Sequence, residues 1–169
     1  FQLIPKGTNQ VLEFSCLFSP EKSNDELPDF EQTRSDNLSA WRAFWNSGGA
    51  VDFSNCTDPL AKELERRTVL SQYLTKIQCA GSLPPAETGL TYNSWYGKFH
   101  LEMHWWHGAH FPEWNRSNYL EEQMKYYSKI FNEAKETASI QGFKGVRWPK
   151  MVGPEGKESP SGVGVYLIW

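Results

Sequence analysis

Positive charge is in short supply in this chain: 17 Lys and Arg stand against 20 Asp and Glu, giving a net charge of -3 and a pI near 5.8. Without a basic stripe there is no electrostatic footprint for nucleic acid or an anionic membrane. Long apolar runs are missing as well. No stretch approaches the roughly 20 residues that a bilayer span requires, and no charged-then-apolar leader opens the chain, so neither nucleic acid nor a membrane is expected as a partner. Cysteine is scarce. Cys16, Cys56 and Cys79 are odd in number and form no Cys-x-x-Cys pair, which argues against zinc-ribbon or dithiol chemistry and against a fully paired disulfide scaffold. Cys16, inside "EFSCLF", reads as a small buried hydrophobe.

Aromatic rings, in contrast, are plentiful: Phe, Trp and Tyr make up 15% of the chain, with eight Trp. Flat, weakly polar faces suit sugar rings. The alternative is that large rings fill a wide helical interior. At 169 residues the chain has single-domain length, and a domain of this size buries roughly 70% of its unfolded surface. Sequons at Asn37, Asn55 and Asn115 lean slightly toward an extracellular or periplasmic setting.

Periodicity divides the chain. Phe1 to Phe18 is extended in character, "FQLI" and "VLEFSCLF" flanking a turn cluster, and reads as two strands or a hairpin. Ser19 to Phe30 is polar, holds two prolines and reads as a linker. In "SDNLSAWRAFWNSGG", Ser35 or Asp36 is placed to cap a helix with Leu38, Trp41 and Trp45 on one face, stopped by Gly48-Gly49. A longer helix is expected at Asp58, with Pro59 at its first position and Leu60, Leu64, Leu70, Tyr73, Leu74 and Ile77 on a broad apolar face, ending at Gly81. These two form an αα-hairpin. After the Pro- and Gly-containing loop over residues 82–98, a nearly all-apolar helix is expected from His100 to Trp114. An amphipathic partner capped by Ser117 follows and runs to about Gly142. The Gly- and Pro-rich tail reads as loop before a final apolar element. Alternating buried and amphipathic helices are what a helical toroid or solenoid produces.

The stretch "WYGKFHLEMHWWH", Trp95 to His107, is the densest in chemistry, holding three of the four histidines and three of the eight tryptophans. If it is helical from His100, then His100, His104 and His107 share a face at i, i+4 and i+7, a possible ligand set for a metal. Glu102 sits on the opposite face and two residues after the first histidine, which is not the spacing of a zincin. The plainer reading makes the histidines buried, neutral and hydrogen-bonded to neighbouring carbonyls, and His107 and His110 suit it. Glu102 does not. A carboxylate in an apolar segment costs several kcal/mol unless a cation, a ligand hydroxyl or a proton compensates it, and Lys98, Arg147 or a sugar are the candidates. Trp95, His100, Glu102, Trp106, Arg147 and Trp148 are the residue types of a sugar site: rings to stack, imidazole and carboxylate to bind hydroxyls.

"ETGLTYNSWYGKFHLEMHWWHGAHF" and "QGFKGVRWPKMVGPEGKESPSGVGVYLIW" resemble the catalytic region of the six-hairpin, (α/α)6-barrel glycoside hydrolases of families 65 and 95. The likeness covers nearly the whole chain and rests on an elaborate Trp-x-Gly-Lys-Phe-His-x-Glu-x-x-Trp-Trp spelling. It implies a mainly α fold of αα-hairpins forming part of an (α/α)6 toroid. Residues 1–30 would be the trailing strands and linker of an N-terminal β-sandwich, and residues 31–169 the first part of the barrel. It further implies inverting hydrolysis by a glutamic acid and a carboxylate base. In fucosidase-like relatives polar residues two apart at this helix entry hold the attacking water; this chain carries Lys98 and His100 there instead of paired asparagines. A hairpin takes roughly 35 to 50 residues, so there is room for about three of six, and the rest of the same barrel is an implied partner. A partial toroid of this kind would expose apolar hairpin faces.

The expectation is therefore a glycoside hydrolase acting on a glycan or glycoside, with no cofactor and no metal. Glu158 is the nominated acid, with Glu102 and His100 in the catalytic group. Trp95, Lys98, His104, Trp106, Arg147 and Trp148 are the substrate-binding candidates. The rival readings are a non-catalytic carbohydrate-binding or scaffold module, and a histidine-ligated metalloprotein.

Overall fold

The computed structural model of the chain describes Ile4, residues 12–19 and residues 21–159. It is mainly helical and divides into two compact units, Phe1–Ser47 and Gly48–Trp169. The strands expected over Phe1 to Phe18 fall partly outside the described residues. Residues 12–19 are described and form neither strand nor helix, and Cys16 is exposed rather than buried. The final apolar element expected before Trp169 also lies outside the described residues.

In the first unit, α1 spans Phe30–Asn46 and starts earlier than the apolar pattern suggested. Its cap is Asp29, whose carboxylate accepts from the Gln32 backbone N–H at 2.7 Å, not Ser35 or Asp36. The signal was the Asp-x-x-Gln spacing of a capping box, obscured by the polar first turns. Trp41 and Trp45 stack with ring centroids 6.1 Å apart, and the buried Phe44 meets both edge-on.

The second unit opens with α2, Ala61–Cys79. Asp58 and Pro59 lie in the turn before it, where the Asp58 carboxylate accepts from Leu60 N–H at 2.7 Å. Only Ala61, Gln72 and Cys79 are buried on α2, while Leu64, Leu70, Tyr73 and Leu74 are exposed. The broad apolar face read from the sequence is present, and its leucines remain largely exposed. The αα-hairpin expected of α1 and α2 would span the two units.

The largest departure lies at Trp95 to Met103. The expected helix does not begin at His100: a 3-10 turn over Trp95–Gly97 leads into strand β1, Phe99–His100, then a second 3-10 turn over Leu101–Met103. Helix starts only at α3, His104–Gly108, and continues through the helical Ala109 into α4, His110–Glu113. The reason is legible in hindsight, because Lys98-Phe99-His100-Leu101 alternates polar and apolar with the period of two that a strand imposes. Strand β1 pairs antiparallel with β2, Met151–Val152, in the register Phe99 to Val152 and His100 to Met151. Single bridges extend this ribbon at both edges, Ala86 to Phe99 and Val152 to Glu158.

The outer helix is broken. Segments α5, Asn118–Lys129, and α6, Phe131–Ile140, meet at Ile130, whose φ of -97 and ψ of 16 leave the helical region. Its backbone bonds to Tyr126 and Ala134 survive at 3.0 Å, so the helix kinks without unwinding. No proline or glycine causes this. Ile130 is drawn into the core cluster with Leu101, Tyr126 and Val152, and Gly156 makes room for it: a Cβ at position 156 would stand 2.7 Å from Cβ of Ile130. Ser117 caps no backbone N–H but bonds the Glu121 carboxylate at 2.6 Å.

A directed chain of buried polar groups ties these helices together. The Gln123 amide donates to the Cys79 carbonyl at 2.5 Å and leaves its oxygen, 2.7 Å away, for His104 Nε2. His104 is thereby held with its proton on Nε2, so Nδ1 accepts from the Tyr127 hydroxyl at 2.9 Å. One imidazole and one amide thus connect α2, α3 and α5. Nearby, the buried Arg116 donates to Gln72 Oε1 at 2.8 Å and to the Gly49 carbonyl at 3.2 Å.

Candidate functional site

The ribbon has two faces, and residue alternation assigns them. Phe99, Leu101 and Val152 turn to the core with Tyr126 and Ile130. Lys98, His100 and Met151 therefore belong to the other face. The chain reaches this point through an unusual bend: Trp95 (φ 48), Tyr96 (φ 59) and Gly97 (φ 67) all have positive φ. For the two non-glycine residues this costs roughly 1–2 kcal/mol each, and such strain concentrates where geometry serves a purpose.

The bend sets the Trp95 indole beside the buried His100 imidazole, with centroids 6.1 Å apart. The Lys150 ammonium lies 5.5 Å from the centre of the same indole, in cation–π range, and 2.9 Å from Glu102 Oε2. That oxygen is also 3.6 Å from His100 Nε2. The compensating cation for Glu102 is thus Lys150, not Lys98 or Arg147. Nothing in "RWPKM" distinguishes Lys150 from any other loop lysine, so the sequence carries no signal for this contact. Its backbone carbonyl also accepts from Leu101 N–H at 2.8 Å, which fixes the lysine across from the 3-10 turn that carries Glu102.

The Lys150 ammonium holds the Glu102 carboxyl below its usual range, with burial opposing and His100 adding to the effect. Burial pushes the His100 imidazole down, with Lys150 assisting and the carboxylates of Glu87 and Glu102 opposing. The result is a charged, partly exposed carboxylate backed by a buried neutral imidazole, and Glu102 is the group suited to accepting hydrogen bonds from hydroxyl groups. His100 Nδ1 is buried with no hydrogen-bond partner among the described residues.

The remaining candidates lie elsewhere. His104 is buried in the structural relay with both ring nitrogens occupied. Trp106 is 70% exposed on α3. Arg147 is buried and holds Glu158 at 3.2 Å and Gln141 Oε1 at 2.8 Å. Glu158 bridges Val152, so by register it belongs to the core-side face, opposite to His100. The nominated acid and Glu102 are therefore not brought together. Trp148 packs edge-on against Tyr127 at 5.9 Å and helps line an apolar cavity of about 450 Å³ with Leu101, Trp105, Met124 and Tyr127.

His107 Nε2 donates to the Glu87 carbonyl at 2.9 Å; this carbonyl partner fits the plain structural reading of that residue. Among the described residues, no group of three or more His, Cys, Asp and Glu side chains is placed to hold a metal ion. The strand at His100 takes it off the helical face that the ligand set required. No described helix is long and apolar enough to cross a membrane.

No family model, curated protein or solved structure matches the chain.

Proposed function

We propose that the chain forms part of the catalytic region of a glycoside hydrolase built as an (α/α)6 toroid, and that the face carrying Trp95, Lys98, His100, Glu102 and Lys150 binds the sugar. One observation supports this most strongly: an indole, an imidazole and a lysine-paired carboxylate stand within 2.9 to 6.1 Å of one another along a short strained segment. Rings offer C–H stacking, and the charged carboxylate offers acceptors for hydroxyl groups. In this reading Glu102, being anionic, binds hydroxyls or activates water, and inversion needs a separate proton donor on the other side of the scissile bond. The exposed stripe of α2 is then a surface for neighbouring hairpins of the same barrel.

The test is release of reducing sugar from a panel of glycans and aryl glycosides, with Glu102→Gln as the comparison. Loss of turnover by about 100-fold or more, the usual scale for a group acting on the reacting atoms, with the fold retained, is the expected result. Near-normal turnover removes Glu102 from the reaction. A second reading, a carbohydrate-binding module without hydrolysis, draws support from the Arg147–Glu158 pair, which takes the nominated acid to the opposite face. Sugar binding without bond cleavage distinguishes it.

A further inference from the structure

The cavity beside Trp148 has no part in the sugar reading, and it is too large to be a packing fault. Protein interiors hold few voids bigger than one water, whereas this one measures about 450 Å³, within the roughly 300–1,000 Å³ of small-molecule sites. Helical spacing builds it. Leu120, Met124 and Tyr127 stand at i, i+4 and i+7 on one face of α5. Trp105 and Ala109 stand at i and i+4 on α3 and its helical continuation. Gly108 lets the two helices meet, since a Cβ there would fall 2.6 Å from Cδ1 of Leu120. Leu101 and Trp148, the latter edge-on to Tyr127, complete the wall. The way in is the rim, where Trp105 is 64% and Met124 48% exposed.

The polar groups on this wall are already spent. Both His104 nitrogens are bonded, Nδ1 to the Tyr127 hydroxyl at 2.9 Å and Nε2 to Gln123 at 2.7 Å, and burial keeps the ring neutral. The Tyr127 proton is used in the same bond, and the Trp148 indole N–H is itself buried and does not open on accessible space. Among the described residues that line the cavity, none carries a charge. The relay also pins His104 and Tyr127, so the cavity is formed before a ligand arrives, which lowers the ordering cost of binding. We propose that it is a binding site for a neutral, apolar molecule of two or three fused aromatic rings, separate from the sugar face and independent of it. The volume sets the ring count, being about three times the roughly 150 Å³ of an apolar cavity that takes one benzene. Three ring walls, Trp105, Tyr127 and Trp148, and the polarizable Met124 suit flat faces. An empty apolar void forfeits dispersion contacts that such a ligand restores. A charged one would lose its hydration with nothing to replace it.

Titration of the 169-residue chain with naphthalene, benzene and 2-naphthoate, followed by the methyl shifts of Leu101, Leu120 and Met124, tests this. Naphthalene is expected to move all three and to bind about tenfold tighter than benzene, the return on a second buried ring. The same rings with a carboxylate, in 2-naphthoate, should bind about tenfold weaker or worse. Ala109→Leu grows into the cavity from a helical position and should weaken naphthalene about tenfold with the fold kept. Should that variant fail to fold, Met124→Trp fills the cavity from its exposed rim and carries the same expectation. Methyl shifts that naphthalene leaves unmoved overturn the site. Equal binding of 2-naphthoate overturns its neutral character, and equal binding of benzene overturns the ring count. Undiminished naphthalene binding in both filled variants overturns the location. A concentration-dependent dimer that covers the same methyls and does not yield to naphthalene overturns the proposal in favour of a second copy of the chain.

Discussion

Replacing Gln123 with leucine tests the claim that a single amide joins three helices. Gln123 is 0% exposed, so no water takes its place when it is removed. Two buried groups lose their partner, the Cys79 carbonyl at 2.5 Å and His104 Nε2–H at 2.7 Å. Each orphaned group costs about 1–3 kcal/mol, and the leucine side chain, close in volume, returns about 1–1.5 kcal/mol of apolar burial. The net loss is about 0.5–5 kcal/mol, centred near 3 kcal/mol. Urea unfolding followed by tryptophan fluorescence reads it as a lower midpoint at unchanged slope. The companion variant His104→Phe should be less than additive with it, with a coupling of about 0.5–3 kcal/mol, since each change already breaks the relay. A loss under about 0.5 kcal/mol, the scale of an ordinary surface substitution, or strict additivity of the pair, refutes the relay as a tie between α2, α3 and α5.

Two further outcomes follow from the same geometry. Burial lowers the pKa of His100, His104, His107 and His110 below the ordinary value of 6.5, so above pH 6.5 their contribution to stability is intact. As pH falls below 6.5 the unfolded chain takes up protons that the folded chain refuses, and stability should drop by up to about 1.4 kcal/mol per pH unit for each such histidine. Glu102, held low by Lys150, adds a loss at more acid pH, below 4.5. Unfolding at stepped pH checks this, and a flat profile from pH 7 to 5 contradicts it. Tyr96, at φ 59 and 92% exposed, gives up strain without packing, so Tyr96→Asn should stabilise the chain by about 0.5–1 kcal/mol, read as a raised unfolding midpoint.

Helices were legible wherever their apolar spacing was carried through several turns. Helix α2 starts two residues after Pro59, its expected first position, because Asp58 and Pro59 shape the turn that leads into it. The aromatic-rich segment was misjudged for a physical reason. Over Lys98 to Leu101 a strand of two residues leaves too short a pattern to outweigh the helical spacing of His100, His104 and His107. Trp95, His100 and Glu102 were legible as a group because ring, imidazole and carboxylate in one segment are costly to keep. Lys150 was not, since what singles it out is a contact with Glu102 across 48 positions of sequence. Arg147 and Glu158 had the right chemistry but lie on the wrong side of β2, a distinction set by pairing register and invisible in composition.

Strand β1 has opposite duties on its two sides and only two residues in which to perform them. Substitutions there trade one property against another, but a change of length is of a different kind. Deleting one residue between Tyr96 and Phe99 would turn the segment inside out, setting Phe99 in the buried place of His100 beside Trp95 and forcing His100 against Tyr126 and Val152. Across diverging copies of such a chain, this short segment should tolerate spelling changes far better than frame changes, even though both flanking loops look free to vary in size.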